Sequence, residues 1–195
     1  MSGLKIGVIL GSTRPGRNGK GVADWVIEKT AGRPGATYEL VDLADYPLPL
    51  LDEPAPASMQ QYTKEHTKQW AAKVAEFDGF VFVSPEYNHS TSGVLKNALD
   101  FLNVEWNNKA AALVTYGSVG GARAAEHLRA ILSELQVAHV RQQMTFSLFT
   151  DFTDFTTFTP GPQHDDFLPL MLNQLEAWAG ALKTLRSPAE ASPAA

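Results

Sequence analysis

Five short apolar runs alternate with five amphipathic stretches along the 195 residues of the chain. The first run, LKIGVIL, spans residues 4–10, and the third, FVFVS, spans residues 80–84. Runs that are apolar on both faces are typical of strands inside parallel sheets, and an apolar stripe with a period near 3.6 predicts a helix. The alternation therefore predicts an α/β fold, in which helices lie on both faces of a five-stranded parallel sheet.

The apolar pattern and the turn residues between the runs give bounds for each element. Strands are predicted at residues 4–10, 37–43, 80–84, 109–116 and 137–146, and helices at residues 19–30, 58–77, 92–102, 121–135 and 167–185. A chain of this length is enough for one domain, which we expect to span residues 1–186. Residues 187–195 are rich in Ser, Pro and Ala and predict a disordered tail.

Composition argues against several classes of function. The net charge of -5 is unfavourable for nonspecific nucleic-acid binding, which needs a basic face. The absence of cysteine removes disulfides, thiolate nucleophiles and cysteine-based zinc sites, and the five histidines are scattered, so no metal site is predicted. No signal peptide is evident, and no apolar run approaches the roughly 18 residues of a membrane span. We therefore expect a cytoplasmic protein without a membrane partner.

Three turns that follow predicted strands lie at residues 11–19, 85–93 and 116–121. In open parallel sheets, ligands bind at the carboxyl ends of the strands, where the strand order reverses. The first turn, GSTRPGRNG, offers free backbone N–H groups, the hydroxyl of Ser12 and the charges of Arg14 and Arg17. It lacks the P-loop pattern and the dinucleotide pattern Gly-x-Gly-x-x-Gly, so it predicts a cradle for a single phosphate. The alternative is an exposed polar loop whose arginines form surface ion pairs.

The second and third turns favour a flat, polar group on the same ligand. The second turn, PEYNHSTSG, places Tyr87 where its ring can lie against a planar group, and nearby N–H groups can bond ring carbonyls. The third, YGSVGGARA, contains three glycines that permit close backbone approach. The alternatives are a helix-capping turn for the second and a tight turn that requires positive φ for the third. Together the three turns predict one ligand with a phosphate and a flat polar head.

Three segments of the sequence, GSTRPGR, PEYNHSTSGVLKNALD and YGSVGGARA, together resemble the NADPH-dependent FMN reductase family. These flavodoxin-like reductases include quinone, chromate and azo-dye reductases, and the resemblance covers roughly residues 5–135. It implies a three-layer sandwich with the strand order 2-1-3-4-5 and a noncovalently bound FMN. It also implies NADPH or NADH as the electron donor, and a homodimer or homotetramer.

The resemblance further implies which residues hold FMN. The phosphate would lie against the first turn, and the ring system would lie between the second and third turns. The implied residues are Ser12, Arg14, Arg17, Asn18 and Gly19 at the phosphate, Pro85, Glu86, Tyr87 and Asn88 at the isoalloxazine, and Gly117 and Ser118 on its other side. Many members of the family have Ser near the position of Arg17, so this arginine departs from the family pattern.

The activity implied by the resemblance is that of an NAD(P)H-dependent oxidoreductase. Hydride would pass from the nicotinamide to N5 of the flavin, and two electrons would then pass to a small acceptor such as a quinone, free flavin, an azo dye or chromate. No catalytic side chain is needed, because the flavin carries the chemistry. The alternatives are a flavodoxin-type electron carrier reduced by a protein partner and a binding protein without flavin turnover.

Phenylalanine recurs at every third residue from Phe149 to Phe158. This period fits neither a strand nor an α-helix. We expect either an extended arm, over the active site or across a subunit partner, or a partly ordered surface loop.

Overall fold

The computed structural model describes residues 3–186, so the predicted tail at residues 187–195 lies outside the described residues. The main sheet consists of five parallel strands, β1 (Leu4–Leu10), β2 (Ala36–Asp42), β3 (Gly79–Pro85), β4 (Lys109–Gly117) and β5 (Val137–Ser147). The strands lie in the order β2-β1-β3-β4-β5, which confirms the predicted order. Because β2 pairs with one edge of β1 and β3 with the other, the winding reverses at β1.

Helices cover both faces of this sheet. They are α1 (Gly19–Thr30), α2 (Glu65–Ala75), α3 (Gly93–Asp100), α4 (Ala122–Glu134) and α5 (Gln163–Arg186). The inner strands are apolar on both sides, so that Val81 of β3 lies in the core under α1 and α5, whereas Phe82 lies in the core under the other three helices. The predicted three-layer sandwich is thereby confirmed. Within residues 3–186, no helix has the length and apolar character needed to cross a membrane.

The second helix begins later than the sequence pattern predicts. A helix was expected over residues 58–77, but only a single 3-10 turn forms at the start of this range, and α2 begins at Glu65. The carboxylate of Glu53 accepts hydrogen bonds from the backbone N–H groups of Thr63 and Lys64, both at 2.9 Å. A side chain from the preceding loop therefore fixes the chain just before α2, and no local pattern reveals that contact.

The last helix begins earlier than the predicted bound at residue 167. Pro169 favours a helix start close to it, yet α5 begins at Gln163 and contains this proline. Asp165 and Asp166 lie in the first turn of α5, where negative charge interacts favourably with the helix dipole. Lys29 of α1 also forms an ion pair with Asp165 at 2.6 Å, which ties the early start of α5 to the neighbouring helix.

The phenylalanine-rich segment forms a β-hairpin, which differs from both forms expected from its sequence. Its strands are β6 (Phe152–Thr153) and β7 (Thr157–Phe158), paired antiparallel. Phe152 and Phe158 pack against the core under α1 and α5, whereas Phe149 and Phe155 are exposed with their ring centroids 5.7 Å apart. The period of three arises because a turn separates the two inward-facing rings. We call residues 149–158 the Phe hairpin.

A buried lysine at the amino end of β4 is expected to make stability depend on pH. Lys109 is 3% exposed, and its Nζ donates a hydrogen bond to the Val74 carbonyl at 2.7 Å. Burial, together with the charge of Arg186, lowers the pKa of Lys109 to about 7. Between that value and the ordinary 10.5, the unfolded chain holds a proton that the folded chain has released, so stability rises with pH.

Lys109→Met tests this account. We expect the variant to be more stable than the wild type at pH 6–7, because the cost of burying the ammonium is gone, and the gap to shrink toward pH 10. Urea unfolding across this range measures both free energies, and their difference cancels the titration of other groups. A gap that stays constant from pH 6 to pH 10 would contradict the lowered pKa of Lys109.

Candidate functional site

The turns that follow β1, β3 and β4 are held together at the carboxyl edge of the sheet. The Gly11 N–H donates to the Val83 carbonyl at 2.8 Å, and the hydroxyl of Ser92 donates to the Gly11 carbonyl. The Glu86 N–H donates to the Tyr116 carbonyl at 2.9 Å. The three turns singled out by the sequence therefore form one continuous surface at the point where the strand order reverses.

The first turn presents an uncapped helix start. No side chain caps α1 within the described residues, so the first N–H groups of this 12-residue helix lack the usual partner. Ser12 is buried, and its Oγ lies 3.1 Å from the hydroxyl oxygen of Tyr87. This contact joins the predicted phosphate turn to the predicted ring turn. A buried hydroxyl beside free N–H groups is an arrangement that binds anions.

The two arginines of the first turn have different surroundings. Arg17 forms an ion pair with Asp42 at the end of β2, and its Nη1 donates to the Ser12 carbonyl at 2.8 Å. Arg14 is exposed and forms no ion pair with any residue in 3–186. Arg14 is therefore the guanidinium that remains available to an anion, whereas Arg17 braces the turn.

Asn18 also makes a contact away from the turn. Its Nδ2 donates to the Phe155 carbonyl at 2.7 Å, which fastens the Phe hairpin beside the start of α1. The side-chain amide of Asn18 is thus engaged in a contact within the protein, whereas its backbone N–H lies at the start of α1. On the other flank, the Leu148 N–H donates to the Gly117 carbonyl at 3.0 Å. The Phe hairpin therefore lies between the first and third turns.

The second turn is a tight reversal built on left-handed backbone. Tyr87 and Ser90 exchange N–H···O hydrogen bonds of 2.9 and 3.1 Å. The two residues between them, Asn88 and His89, have φ values of 48° and 73°. Both positions in the left-handed region define a type I′ turn. Asn88 and His89 are exposed at the rim of the site, and Pro85 ends the strand that supports them.

Glu86 links the second turn to the helix that follows the third. Its carboxylate is 5% exposed, pairs with the Arg123 guanidinium and accepts the Arg123 N–H at 3.1 Å. A Cβ added to Gly117 would lie 3.1 Å from the Glu86 Cβ, so the two turns touch at this point. Glu86 is therefore committed to a protein contact, and its side chain holds the predicted ring site in shape.

The third turn depends on glycine. Gly121 has a φ of +75°, and a Cβ there would lie 2.7 Å from both the Thr115 Cβ and the Tyr116 nitrogen. The hydroxyl of Thr115 donates to the Gly120 carbonyl at 3.0 Å and closes the turn. Ser118 is consequently held at the exposed tip of the turn, where its N–H has no acceptor within residues 3–186.

Sequence reasoning missed two residues of this surface. Asp42 belongs to β2, and only the pairing of β2 beside β1 brings it to Arg17. Tyr116 is 5% exposed, and its buried hydroxyl makes no hydrogen bond within the described residues. The order 2-1-3-4-5 carried a signal for Asp42, because it places the end of β2 beside the first turn. Tyr116 opens the third turn in the sequence, but it is also the last residue of a predicted strand, and no sequence signal gave its side chain a role at the ligand.

Comparison with known proteins identifies the family. The family model described as NADPH-dependent FMN reductase matches residues 4–151. The chain belongs to the NADPH-dependent FMN reductase family. The match ends at Asp151, so most of the Phe hairpin lies beyond it. The resemblance stated from the three turns is thereby confirmed, as are FMN as the flavin and NAD(P)H as the donor of an NAD(P)H-dependent reductase. The alternative of a flavodoxin-type carrier is not favoured.

Relatives of this FMN reductase family member carry consistent names. The chain is 41% identical over 156 residues to an NAD(P)H-dependent FMN reductase of a Nectria species, covering 75% of the chain and 78% of that relative. It is 36% identical over 134 residues to an NAD(P)H:quinone oxidoreductase of Solanum tuberosum, with 66% of each covered. The structure of the flavoenzyme FerB, an NAD(P)H:(acceptor) oxidoreductase from Paracoccus denitrificans, superposes with a TM-score of 0.70. It shares 19% identity over 91% of this chain and 98% of that one, so this likeness shows the fold alone.

Proposed function

We propose that this reductase binds FMN across the three turns and passes electrons from NAD(P)H to a quinone or a free flavin. The observation that carries the proposal is the first turn, where an uncapped helix start, the buried Ser12 hydroxyl and the free Arg14 converge. Such a set fits a phosphate monoester. Bound FMN supplies the two-electron chemistry, in which hydride is taken from a nicotinamide and electrons are given to an acceptor.

In this proposal, the residues of the chain bind FMN and orient it. The N–H groups at the start of α1, the hydroxyl of Ser12 and the guanidinium of Arg14 hold the phosphate end. Gly19 lets the helix start pack closely against Tyr116, because a Cβ there would lie 2.6 Å from the Tyr116 hydroxyl oxygen. Arg17 and Asn18 support the turn through Asp42 and the Phe hairpin instead of binding the phosphate directly.

At the ring end, few backbone donors remain for a ligand. The N–H groups of Glu86 and Tyr87 bond to the protein, and Pro85 has none. Within residues 3–186, the N–H groups of Asn88 and Ser118 lack protein acceptors. We assign these two as the donors to the polar edge of the ring, where they would stabilise negative charge that develops on reduction.

Further parts of the proposal concern the assembly. We propose a single domain over residues 1–186, supported by the one sheet that both cores share. A homodimer or homotetramer rests on the family resemblance, and a cytoplasmic location stays the expectation drawn from the sequence. The acceptor class follows the relatives, several of which are named as quinone oxidoreductases.

An anaerobic titration of the FMN-loaded protein with NADPH tests this function. We expect stoichiometric bleaching of the flavin absorbance, followed by reoxidation on addition of a quinone or free FMN. A parallel titration with NADH compares the two donors. A bound flavin that stays oxidised with both nicotinamides would contradict the reductase and point to a carrier reduced by a protein.

A further inference from the structure

One buried hydroxyl at the carboxyl edge has no partner. Tyr116 is the penultimate residue of β4, and its Oη is fully buried without a hydrogen bond in residues 3–186. Among the described residues, Thr67 and Arg123 carry the other buried polar side-chain atoms without partners. Thr67 lies in α2, away from the three turns, and the remaining guanidinium atoms of Arg123 pair with Glu86 and His89. The Tyr116 hydroxyl is therefore the orphan group that belongs to the first turn.

The hydroxyl points at the start of α1. A Cβ added to Gly19, the first residue of that helix, would lie only 2.6 Å from Tyr116 Oη. The ring centroid of Phe152 in the Phe hairpin lies 6.2 Å from that of Tyr116, so the phenol ring packs against the hairpin. The Tyr116 hydroxyl thus lies directly at the start of α1, whose first N–H groups have no side-chain cap.

The protonation state of the Tyr116 hydroxyl allows it to act as a hydrogen-bond donor. Burial raises the pKa of Tyr116, and the Gly19 N–H and the Arg14 charge oppose that effect only in part. The hydroxyl therefore keeps its proton at neutral pH. The N–H of Gly19 and the Ser12 hydroxyl lie near it, but neither meets the geometry of a hydrogen bond. A buried hydroxyl without a partner lowers stability, which is tolerated where a ligand completes the bond.

We propose that the Tyr116 hydroxyl donates a hydrogen bond to the phosphate of FMN and completes the anion site of the first turn. The assignment rests on the proposed function, because it takes FMN as the occupant. It adds a ligand from β4 to a site otherwise made by the turn after β1. It also accounts for Gly19, since any side chain there would collide with the hydroxyl and push it away from the helix start.

Tyr116→Phe removes this hydroxyl and little else. Flavin fluorescence titration of the apoprotein should show FMN bound about tenfold more weakly by the variant, with riboflavin affinity unchanged, because riboflavin lacks the phosphate. Thermal unfolding of the apoprotein gives a second readout. The variant should unfold at the same temperature as the wild type or higher, because it loses no protein hydrogen bond. Inorganic phosphate should raise the unfolding temperature of the wild type more than that of Tyr116→Phe.

Tyr62→Phe is the matched control. Its hydroxyl donates to Glu105 at 2.9 Å, and neither residue belongs to the three turns, so its loss should lower the unfolding temperature and leave FMN affinity unchanged. Equal weakening of FMN and riboflavin by Tyr116→Phe, or no weakening of FMN, would overturn the assignment. A wild-type protein that binds neither flavin would instead overturn the proposed function itself, and the assignment with it.

Discussion

Arg14→Ala is expected to raise the dissociation constant for FMN by about 10- to 100-fold. Arg14 is exposed and has no ion pair in the described part of the chain, so its guanidinium is free to bind a dianion. A hydrogen bond to a charged group contributes about 1.5–3 kcal/mol, and 1.4 kcal/mol corresponds to a factor of ten. Fluorescence titration of the apoprotein with FMN measures the loss, which should also weaken the dependence of binding on salt.

Arg17→Ala is the matched comparison within the same turn. Its guanidinium is committed to Asp42 and to the Ser12 carbonyl, so we expect its removal to lower the free energy of unfolding of the apoprotein by about 1–3 kcal/mol. Asp42→Ala should have a similar effect on stability. If Arg17→Ala weakened FMN more than Arg14→Ala while leaving the apoprotein as stable as the wild type, the roles given to the two arginines would be reversed.

Gly121→Ala is expected to destabilise the protein by about 2–5 kcal/mol. A Cβ at this position would overlap the Thr115 side chain and the Tyr116 backbone at 2.7 Å, and its φ of +75° is unfavourable for any residue with a side chain. Left-handed backbone at a non-glycine residue and overpacking each cost about 1–3 kcal/mol. Urea unfolding of the apoprotein gives the value directly.

Gly180→Ala provides the control for that substitution. Gly180 lies inside α5, and a Cβ there would meet no atom within 4 Å. Alanine in a helix interior is about 0.5–1 kcal/mol more favourable than glycine, so this variant should be slightly more stable than the wild type. A Gly121→Ala variant as stable as Gly180→Ala would mean that the third turn can relax around the added methyl group.

Much of the fold could be predicted from the sequence because local signals agreed with the final packing. β1 and α1 have the predicted bounds, since an apolar run ends at Leu10 and a glycine opens the helix at residue 19. The start of α2 could not be predicted, because a carboxylate from residue 53 sets it through a contact across a loop. The Phe hairpin was missed for a related reason. A phenylalanine at every third residue does not by itself indicate a hairpin, because the hairpin depends on a turn in which Asp154 and Phe155 adopt left-handed backbone conformations.

The candidate site, like the fold, could be predicted from the sequence only in part. The glycines and polar residues of the three turns could be read from the sequence, because strand–turn–helix junctions concentrate them at one edge. Arg14 and Arg17 look alike in the sequence, and only the neighbouring strand β2 separates their surroundings. The role of Tyr116 could not be predicted from the sequence, because it rests on a buried hydroxyl without a hydrogen-bond partner, which only the structure reveals. The assignment of FMN to individual residues stays a prediction until the variants are measured.

The contact between Glu86 and Arg123 limits how this edge of the sheet can vary. Loss of Arg123 leaves the buried Glu86 carboxylate without its counter-charge, so we expect Arg123 to change only together with Glu86. Ser118 and Val119 lie at the tip of the third turn, where their side chains are exposed and are not part of a buried ion pair. We therefore expect single mutations that change the preference for electron acceptors to occur at the tip of the third turn, while the ion pair between Glu86 and Arg123 is retained.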